Sequence, residues 1–535
     1  MRKVTSVILC VLMIASMLAF GVSAAPAGTA ITDAAGFAAM AADGSYYLDA
    51  DITVDTTYAT TFTGIFDGNG HKVTTSVPMF AEMNGTVKNL TIEGNVEVAS
   101  GYGAALAVQT TATDNQVLYE NIVNNATVKA TASGAGALLG YGKGNTNIKF
   151  SKCVNNAAIE STSQTGGLIA YIQGKTVEIV DCVNKGKVTA NTTYGGGIIG
   201  RFGKDYATLE YTITVKNCVN EGDVSGVKDQ TGGIVGYQVG DIIIENCINK
   251  GNVANTTGSA GGILGQCASD KTDSSDSSKK NTSAISMKDC YNYGNITSAN
   301  RSGGMTSSFG KVATAKKYEM INCGNYGKIV MNGDPTKTTN YWAAGLAAYA
   351  YGGSTDNGIK NCYNLGDVEV SGTNVGAAGL IGYVNSKGYV VENCYNAGKI
   401  TNNATAPIVT VSLYYDKSAE SGTADYEKNN FALDIGDTAT YLLNGEAGVD
   451  ATAKGAFTKF AAADLTNGKL VAALNAGAGS TVYYQGEKGP ETFGENAPVN
   501  PPVNPGTGDN FVLYAVVAVV AVIGTAFVAK RKVND

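Results

Sequence analysis

One short phrase, Asn-Cys-x-Asn-x-Gly-x-Val, returns along most of this chain. Four copies read NCVNEGDV from Asn217, NCINKGNV from Asn246, NCYNLGDV from Asn361 and NCYNAGKI from Asn393. Variant copies begin at Lys152, Asp181, Asp289 and Asn322, and two degenerate copies begin at Asn89 and Asn121. Successive copies start 29 to 43 residues apart. Self-similarity at such a period predicts a solenoid in which each repeat stacks on its neighbours.

A Gly-rich apolar phrase follows most copies, as in GGLIAY from Gly166, GGIIG from Gly196, GGIVG from Gly232 and GGILG from Gly261. The repeats lack the i, i+3, i+4 apolar spacing of helices and are rich in Asn, Gly and Thr. Three short strands per repeat, bent at Asn or Asp and again at Gly, indicate one triangular coil of a parallel β-helix. About ten such coils at ~4.8 Å each predict a rod of roughly 50 Å.

The residue before the repeated Cys is the predicted corner of the coil. In VEIVDCVNKGKVTA, strict strand alternation cannot direct Val177, Ile179 and Cys182 all to the interior. A left-handed or bridge conformation at Asp181 shifts the inward phase by one residue. Asn and Asp tolerate that conformation best, and they dominate this position.

Segments outside the repeats divide the chain. Residues 1–24 combine Arg2 and Lys3 with an apolar run and small residues, which predicts a secretory signal peptide; a retained membrane anchor is the alternative. Residues 25–85 are the predicted N-terminal cap and entry coils, with a short helix over residues 31–44 that Asp33 caps. Residues 86–403 hold the β-helix repeats. Residues 404–488 are the predicted last coils and C-terminal cap, with a helix around Leu465 to Asn475, and a separate small domain is the alternative.

Composition excludes several kinds of function. The formal net charge is −7 and only 16% of residues are charged, so no basic face is available for nucleic acid. The single histidine, His71, lies in a predicted turn of the entry coil, and no CxxC pair occurs. We therefore expect no metal site and no cofactor.

Eight cysteines share one position of the repeat, where Leu90 and Ile122 stand in the early copies. A position that accepts Leu, Ile or Cys is an apolar interior position. Parallel Cβ vectors in neighbouring coils disfavour disulfide geometry, so buried reduced thiols are predicted, with occasional pairing as the alternative. The eight residues are Cys153, Cys182, Cys218, Cys247, Cys290, Cys323, Cys362 and Cys394.

Two further side chains vary with the repeat. The Asn two residues after Cys recurs nine times from Asn124 to Asn396, and either an amide ladder along the rod or solvated turns would explain it. Tyrosine replaces Val or Ile after Cys in the later coils. Aligned exposed aromatic rings suit sugar binding, whereas packing of loops on the rod is the alternative. The candidate ligand-binding residues are Tyr291, Tyr293, Tyr326, Trp342, Tyr363 and Tyr395.

Catalytic residues are not evident in the sequence. Polysaccharide lyases and glycosidases need clustered carboxylates, often with Ca²⁺ or an arginine base. The acids here, such as Asp223, Asp367 and Glu245, are scattered through turns of different coils. A carboxylate pair formed across coils stays open, so no catalytic residue is assigned.

The C-terminus resembles a sortase sorting signal of Gram-positive bacteria. A Pro-rich linker (residues 489–503) precedes Asn504-Pro505-Gly506-Thr507-Gly508, an apolar run over residues 511–529 and a basic tail. The signal thus occupies residues 504–535, with Asn504 where such signals usually have Leu. The resemblance implies cleavage between Thr507 and Gly508 by sortase and covalent attachment to peptidoglycan; a plain single-span membrane anchor is the alternative.

The repeats resemble GLUG-motif bacterial surface proteins, on the GGIVG phrases and on GIFDGNGHKVTT from Gly64 and GTVKNLTIEGNV from Gly85. The resemblance implies an all-β, right-handed parallel β-helix of the pectate-lyase type, and it carries no catalytic residue. We expect a secreted, wall-attached, surface-exposed protein that serves adhesion or binds a glycan or host ligand. The alternative is a wall-attached polysaccharide lyase or glycoside hydrolase. The membrane would be contacted only through the span before cleavage.

Overall fold

The computed structural model describes residues 26–111, 116–143, 147–203, 211–267, 283–310, 317–333, 341–350, 358–384, 390–405, 409–416, 427–434 and 457–492. In these ranges the chain forms a parallel β-helix, because nearly every strand pairs in parallel with its counterpart one coil later. The strands belong to a 35-stranded sheet and an 18-stranded sheet. The predicted all-β parallel solenoid is confirmed.

Short strands and one helix of five residues begin the rod. The helix Ala34–Ala38 starts at Asp33, whose carboxylate accepts the Gly36 N–H at 2.8 Å, as predicted, although the helix is shorter than expected. The strands of this part are Thr29–Ile31, Ser45–Leu48, Ile52–Val54, Ile65–Asp67, Lys72–Thr75, Phe80–Glu82, Thr86–Val98, Ala107–Thr110, Gln116–Asn124 and Thr127–Ala130.

Each later coil adds strands at fixed places in the 35-stranded sheet. Those before the corner are Asn147–Ser151, Thr176–Val180, Thr212–Lys216, Asp241–Glu245, Ile285–Lys288, Tyr318–Ile321, Gly358–Lys360, Val390–Glu392 and Glu427–Lys428. Those directly after it are Val154–Asn155, Val183–Asn184, Val219–Asn220, Ile248–Asn249, Tyr291–Asn292, Gly324–Asn325, Tyr363–Asn364, Tyr395–Asn396 and Phe431–Leu433. The third set is Ile159–Ser161, Val188–Ala190, Val224–Gly226, Val253–Asn255, Ile296–Ser298, Ile329–Asn332, Val368–Ser371 and Ile400–Asn402.

The Gly-rich phrases form the 18-stranded sheet. Its shorter strands are Ala135–Gly136, Thr165–Gly166, Gly195–Gly196, Gln230–Gly232, Ser259–Gly261, Ser302–Gly303 and Tyr341–Ala344. They alternate with Leu139–Gly142, Ile169–Ile172, Ile199–Phe202, Val235–Gln238, Leu264–Cys267, Thr306–Phe309 and Ala347–Ala350, before Val375–Val384 and Val409–Asp416. The C-terminal part holds strand Thr458–Phe460, the 3₁₀ turn Ala462–Leu465, the helix Lys469–Ala478 and an antiparallel pair, Tyr484–Gln485 with Pro490–Glu491.

The corner residue before Cys adopts the predicted left-handed conformation. Asp181 has φ 57°, and the equivalent residue of every described repeat lies between 52° and 57°. Asn and Asp fill most of these positions because their short polar side chains tolerate this region. The eleven corners are Asn89, Asn121, Lys152, Asp181, Asn217, Asn246, Asp289, Asn322, Asn361, Asn393 and Asn429.

The Asn two residues after Cys forms a buried amide ladder. Asn220 Nδ2 donates to Asn249 Oδ1 of the next coil at 2.8 Å, and Asn220 Oδ1 accepts from Asn184 at 2.8 Å. Equivalent bonds of 2.7 to 2.8 Å join Asn124, Asn155, Asn184, Asn220, Asn249, Asn292, Asn325, Asn364 and Asn396. All nine side chains are fully buried. The predicted ladder is therefore confirmed, and the solvated-turn alternative is wrong.

The corner asparagines form a second ladder with the opposite direction. Asn246 Nδ2 donates to Asn217 Oδ1 at 2.9 Å, and Asn217 Nδ2 donates to Asp181 Oδ1 at 2.9 Å. In this ladder the later coil donates, whereas in the interior ladder the earlier coil donates. The two ladders bind each coil to both neighbours on either side of the Cys position.

The repeated cysteines lie in the interior, where the sequence predicts them. All eight are fully buried and form no disulfide. Each Sγ lies 3.1 to 3.4 Å from the carbonyl oxygen two residues earlier. Burial raises the pKa of the Cys182 thiol well above its ordinary value, which keeps it protonated and unreactive.

Cys182→Val is expected to change the free energy of unfolding by less than about 1.5 kcal/mol, because the swap nearly conserves volume in an apolar position. Urea unfolding with and without reductant measures the effect, and the two conditions should agree. A large loss that appears only without reductant would contradict the free-thiol assignment.

Tyr119 carries a buried hydroxyl inside the rod. Its ring is fully buried and stacks on Phe150, with centroids 4.5 Å apart and planes 3° apart. Among the described residues, its hydroxyl has no hydrogen-bond partner. Burial also raises the pKa of this phenol, so the group stays neutral. An unsatisfied buried hydroxyl destabilises the fold.

Tyr119→Phe is therefore expected to raise the free energy of unfolding by about 1 kcal/mol, since it removes a buried unsatisfied group without changing the ring. Tyr58→Phe is the matched control, because the Tyr58 hydroxyl donates to Met40 O at 2.9 Å in a buried site. Urea titration of both variants should give opposite signs. A loss of stability in Tyr119→Phe would refute the assignment.

The C-terminal helix was predicted from Leu470 and Leu474, and both are buried. It begins later than expected, at Lys469, because Gly468 takes a left-handed conformation with φ 82°. Within the described ranges, neither helix combines the length and hydropathy that a bilayer crossing requires. The predicted signal peptide, linker, sorting signal and span 511–529 lie outside the described residues.

Candidate functional site: an aromatic face of the 18-stranded sheet

The Gly-rich strands place one side chain per coil in a column on the outside of the 18-stranded sheet. Ile169 and Ile172 belong to the interior cluster, whereas Tyr171 between them does not, so Tyr171 faces outward. Parallel register then aligns the equivalent residues of successive coils. This column contains Gln109, Tyr141, Tyr171, Arg201, Tyr237 and Gln266, and Ser308, Tyr349 and Tyr383 occupy the equivalent position in later coils.

Stacked rings and one guanidinium fill the N-terminal half of this column. The Tyr141 and Tyr171 centroids lie 5.1 Å apart, and the Arg201 guanidinium lies 5.0 Å from the Tyr171 ring and 5.4 Å from the Tyr237 ring. Two tyrosines of the adjacent column add to it, since Tyr102 stacks on Tyr141 at 5.0 Å and Tyr194 stacks on Tyr237 at 4.4 Å. We call these six residues the tyrosine–arginine face: Tyr102, Tyr141, Tyr171, Tyr194, Arg201 and Tyr237.

Stacking along the rod determines what this face offers to a ligand. The rings of neighbouring coils cover each other, so a ligand would meet ring edges rather than flat ring faces. The Tyr141 hydroxyl also accepts a hydrogen bond from Gln173 Nε2 at 3.1 Å. Tyr102, Tyr141, Tyr194 and Arg201 are half-buried and reach the surface. Burial raises the pKa of Tyr102 to about 12 and also raises the pKa of Tyr141. At neutral pH these phenols are therefore protonated, and each donates and accepts hydrogen bonds.

A second aromatic group lies further along the same face. The Arg301 guanidinium lies 4.0 Å from the Tyr349 ring, and the Tyr349 and Tyr383 centroids are 5.2 Å apart. Trp342 completes the group at 6.1 Å from Tyr383. A Cβ at Gly376 would lie 2.3 Å from the Trp342 ring, so only glycine lets this indole cover the strand of the next coil. We call Arg301, Trp342, Tyr349 and Tyr383 the Arg301 cluster.

Charged residues distinguish the faces of the rod. From Ala107 to Val384, Arg201 is the one charged residue in the described strands of the 18-stranded sheet. The strands of the other sheet instead carry cross-coil ion pairs, as between Lys149 and Glu178 at 3.1 Å. Further pairs are Lys216–Glu245, Lys288–Glu319, Lys328–Glu369 and Lys360–Glu392. The aromatic face is thus free of carboxylates in its strands, whereas the remaining surface mixes both signs.

Glu82 lies at the N-terminal end of the same sheet, in register with Gln109. Burial disfavours its charged form, but hydrogen bonds from Thr111, Asn84 and Gln109 outweigh burial and lower the pKa of Glu82. Asn84 Nδ2 donates at 2.8 Å and Gln109 Nε2 at 3.0 Å. Glu82 is therefore an ionised and fully engaged carboxylate at the end of the column, which is poorly suited to accept a proton.

The six aromatic residues predicted to bind a ligand differ in their exposure in the structure. The expectation of exposed rings is wrong at four of them, which are 0% to 3% exposed: Tyr291, Tyr363, Tyr395 and Trp342. Tyr293 is 47% exposed and stacks on the half-buried Tyr326 with centroids 4.4 Å apart. Trp342 belongs to the Arg301 cluster, and the other five lie beside the corner residues.

Residues 469–492 cover three of those tyrosines, and we call this segment the strap. Tyr395 donates its hydroxyl hydrogen to Pro490 O, and Tyr483 of the strap donates to Asn393 O at 2.8 Å. Thr492 Oγ1 lies 2.8 Å from the Tyr291 hydroxyl. Leu470 and Leu474 pack into the same cluster. The tyrosines therefore fix the C-terminal segment to the rod, which is why they are not exposed.

Sequence reasoning missed the tyrosine–arginine face. Four of its residues, Tyr141, Tyr171, Arg201 and Tyr237, occupy the last position of the Gly-rich phrases, as in GGLIAY, GGIIGR and GGIVGY. Tyr102 and Tyr194 precede such phrases. The signal in the sequence was that Tyr or Arg occupies a repeat position where other copies have Gln or Ser. Within the described residues, no group of three or more His, Cys, Asp or Glu side chains is arranged to hold a metal ion.

Comparison with known proteins adds little. No family model and no curated protein matches the chain. A candidate immunoglobulin A1 protease from Bacteroides ovatus aligns at 18% identity and a TM-score of 0.30, over 51% of this chain and 77% of that chain. A structure named IgA1 Protease aligns at 16% identity and a TM-score of 0.34, over 58% of this chain and 22% of that chain. Similarity this low assigns no function.

Proposed function

We propose that this protein is a wall-attached surface protein whose rod binds a glycan through the tyrosine–arginine face. The observation that supports this proposal is the contrast between faces. From Ala107 to Val384, the described strands of the 18-stranded sheet carry stacked tyrosines and one arginine without carboxylates, while the 35-stranded sheet carries Lys–Glu pairs. Concentrated aromatic and arginine side chains characterise binding surfaces rather than solvated ones.

Sugar chemistry suits this face. Neutral phenols donate and accept hydrogen bonds, as sugar hydroxyls do, and ring edges supply apolar contact for the C–H groups of a pyranose. The column repeats once per coil, about every 4.8 Å along the rod. A linear glycan lying along the axis would meet equivalent groups coil after coil, and such multivalent contact raises affinity without any single strong site.

A glycan array with the purified full-length chain tests the binding proposal. Tyr141→Ala and Tyr194→Ala, which truncate half-buried members of the face, are expected to lower affinity at least tenfold. Tyr293→Ala is the matched control, since Tyr293 is an exposed stacked tyrosine elsewhere on the rod and its loss should leave affinity unchanged. Equal losses in all three variants, or no binding to any glycan, would refute the proposal. Shortened or unsaturated oligosaccharides in the same assay would instead favour the polysaccharide-degrading alternative.

The attachment part of the proposal rests on the sequence after the strap. Sortase would cleave between Thr507 and Gly508 and join Thr507 to peptidoglycan, leaving the rod secreted and exposed. Thr507→Ala is expected to move the protein out of the covalently bound wall fraction of the host cell. Thr481→Ala, an exposed threonine of the strap, is the control and should remain in that fraction. Unchanged wall attachment of Thr507→Ala would rule out sorting at this bond.

A further inference from the structure

We propose that the glycan held by this rod is anionic, and that Arg201 and the Arg301 cluster bind its carboxylate or sulfate groups. The inference rests on the proposed glycan-binding function and specifies the ligand class. Both arginines lie beside aromatic rings of the 18-stranded sheet: Arg201 contacts Tyr171 and Tyr237, and Arg301 contacts Tyr349. Arg201 Nε also donates to Gly203 O at 3.3 Å.

The charge distribution of the rod favours this ligand class. The chain carries a formal net charge of −7, so the chain as a whole does not attract a polyanion. The aromatic face is different, since its strands from Ala107 to Val384 contain Arg201 and no carboxylate. Among the described residues next to these strands, Asp229 precedes Gln230 and lies exposed at the corner before the sheet. In the described strands, the aromatic face therefore offers an anionic glycan a cation without a neighbouring carboxylate, whereas cations of the other sheet are paired with carboxylates.

Arg301 has the geometry of an anion-binding side chain. Its guanidinium lies 4.0 Å from the centre of the Tyr349 ring. An arginine held on an aromatic ring keeps its N–H groups directed sideways, where they match the two oxygens of a carboxylate or sulfate. Among the described residues, no carboxylate forms an ion pair with Arg301, and its buried Nε has no hydrogen-bond partner. The positive charge is therefore positioned but not neutralised by these residues.

The spacing of the two cations fits a polymer. Arg201 pairs in register with Tyr237 of the next coil, and Tyr237 pairs with Gln266 of the coil after that. Arg301 belongs to the coil that directly follows the coil of Gln266. Three coils separate the two arginines, which corresponds to roughly 14 Å along the rod. A single acidic sugar does not bridge this distance, whereas an oligosaccharide with repeated anionic groups engages both sites at once.

Titration calorimetry with three matched oligosaccharides tests the inference: a uronic acid oligomer, its carboxyl-reduced neutral form, and a sulfated form of that neutral oligomer. The wild-type chain is expected to bind one or both anionic oligomers at least tenfold more tightly than the neutral one, and preference between them identifies carboxylate or sulfate. Arg301→Gln should lower anionic affinity at least fivefold and change neutral affinity less than twofold. Arg301→Lys keeps the charge but loses the planar fork, so it should recover only part of the affinity.

Lys149→Gln is the matched control, because Lys149 is a half-exposed cation on the other sheet. It should leave affinity for all three oligomers unchanged, and the unfolding midpoint of each variant shows whether the fold is intact. Equal binding of neutral and anionic oligomers would overturn this inference and leave glycan binding standing. Equal loss in Lys149→Gln would overturn it as well, since long-range charge would then explain the preference. Binding to none of the oligomers or to any arrayed glycan would overturn both proposals.

Discussion

Asn220→Ala is expected to lower the free energy of unfolding by about 4 kcal/mol, the largest effect of any single substitution considered for this rod. The substitution removes the bonds from Asn220 Nδ2 to Gly222 O and to Asn249 Oδ1, both 2.8 Å long. It also leaves Asn184 Nδ2 without its acceptor in the next coil. All of these groups are buried, so water cannot replace the lost bonds.

Urea unfolding followed by circular dichroism measures this effect. Asn156→Ala is the matched control, because Asn156 also bonds to an asparagine of the preceding coil, Asn125, at 2.8 Å, but at an exposed site. Its loss should cost less than about 1 kcal/mol, since water replaces the bond. Similar effects for the two substitutions would show that the interior ladder contributes no more than ordinary surface bonds.

Tyr363→Ala is expected to lower the free energy of unfolding of the C-terminal coils by about 3 kcal/mol and to release the strap. The Tyr363 ring is fully buried and stacks on Tyr395 with centroids 5.4 Å apart. Its hydroxyl lies 2.7 Å from that of Tyr326. Removal of the ring leaves a cavity between the rod and Tyr483 of the strap, whose ring centre is 6.3 Å away.

Hydrogen exchange and limited proteolysis of residues 469–492 distinguish strap release from a general loss of stability. Faster exchange in the strap, with the N-terminal coils unchanged, is the expected result. Tyr363→Phe should retain the strap and lose only the bond to Tyr326, at a cost of about 1 kcal/mol. Unchanged protection of the strap in Tyr363→Ala would refute its attachment through Tyr291, Tyr363 and Tyr395.

The interior of the rod was predictable because every coil repeats it. The left-handed corner, the buried Cys and the Asn ladder each follow from a residue type that recurs at a fixed position, as at Asp181, Cys182 and Asn184. Every coil needs the same backbone conformation and the same interior contacts, so the same residue types recur at the same positions of the repeat. This is why sequence alone identified the parallel solenoid and its core.

Exposure of the aromatic residues was not predictable in the same way. Tyr291 is buried by Thr492, which lies 201 residues later in the chain, and no repeat pattern encodes a contact of that range. The tyrosine–arginine face depends on lateral register within the 18-stranded sheet, where Tyr171 and Arg201 become neighbours. The residues of this face differ from copy to copy of the repeat. Which of them become neighbours is known only when the register between coils is known.

The strap also determines where a pulling force would enter the rod. The described chain ends at Thr492, whose hydroxyl donates to Asn322 O at 3.0 Å, and the corners Asn361, Asn393 and Asn429 all lie beyond that point toward the C-terminal end. If the chain is attached to the wall through residues after Thr492, as proposed, the pull would act at Thr492, on the flank of the rod rather than at its tip. A force applied there would first act on the contact between Thr492 and Tyr291. The strap would then detach from the rod residue by residue, from Thr492 toward residue 469, before the force reached the stacked coils.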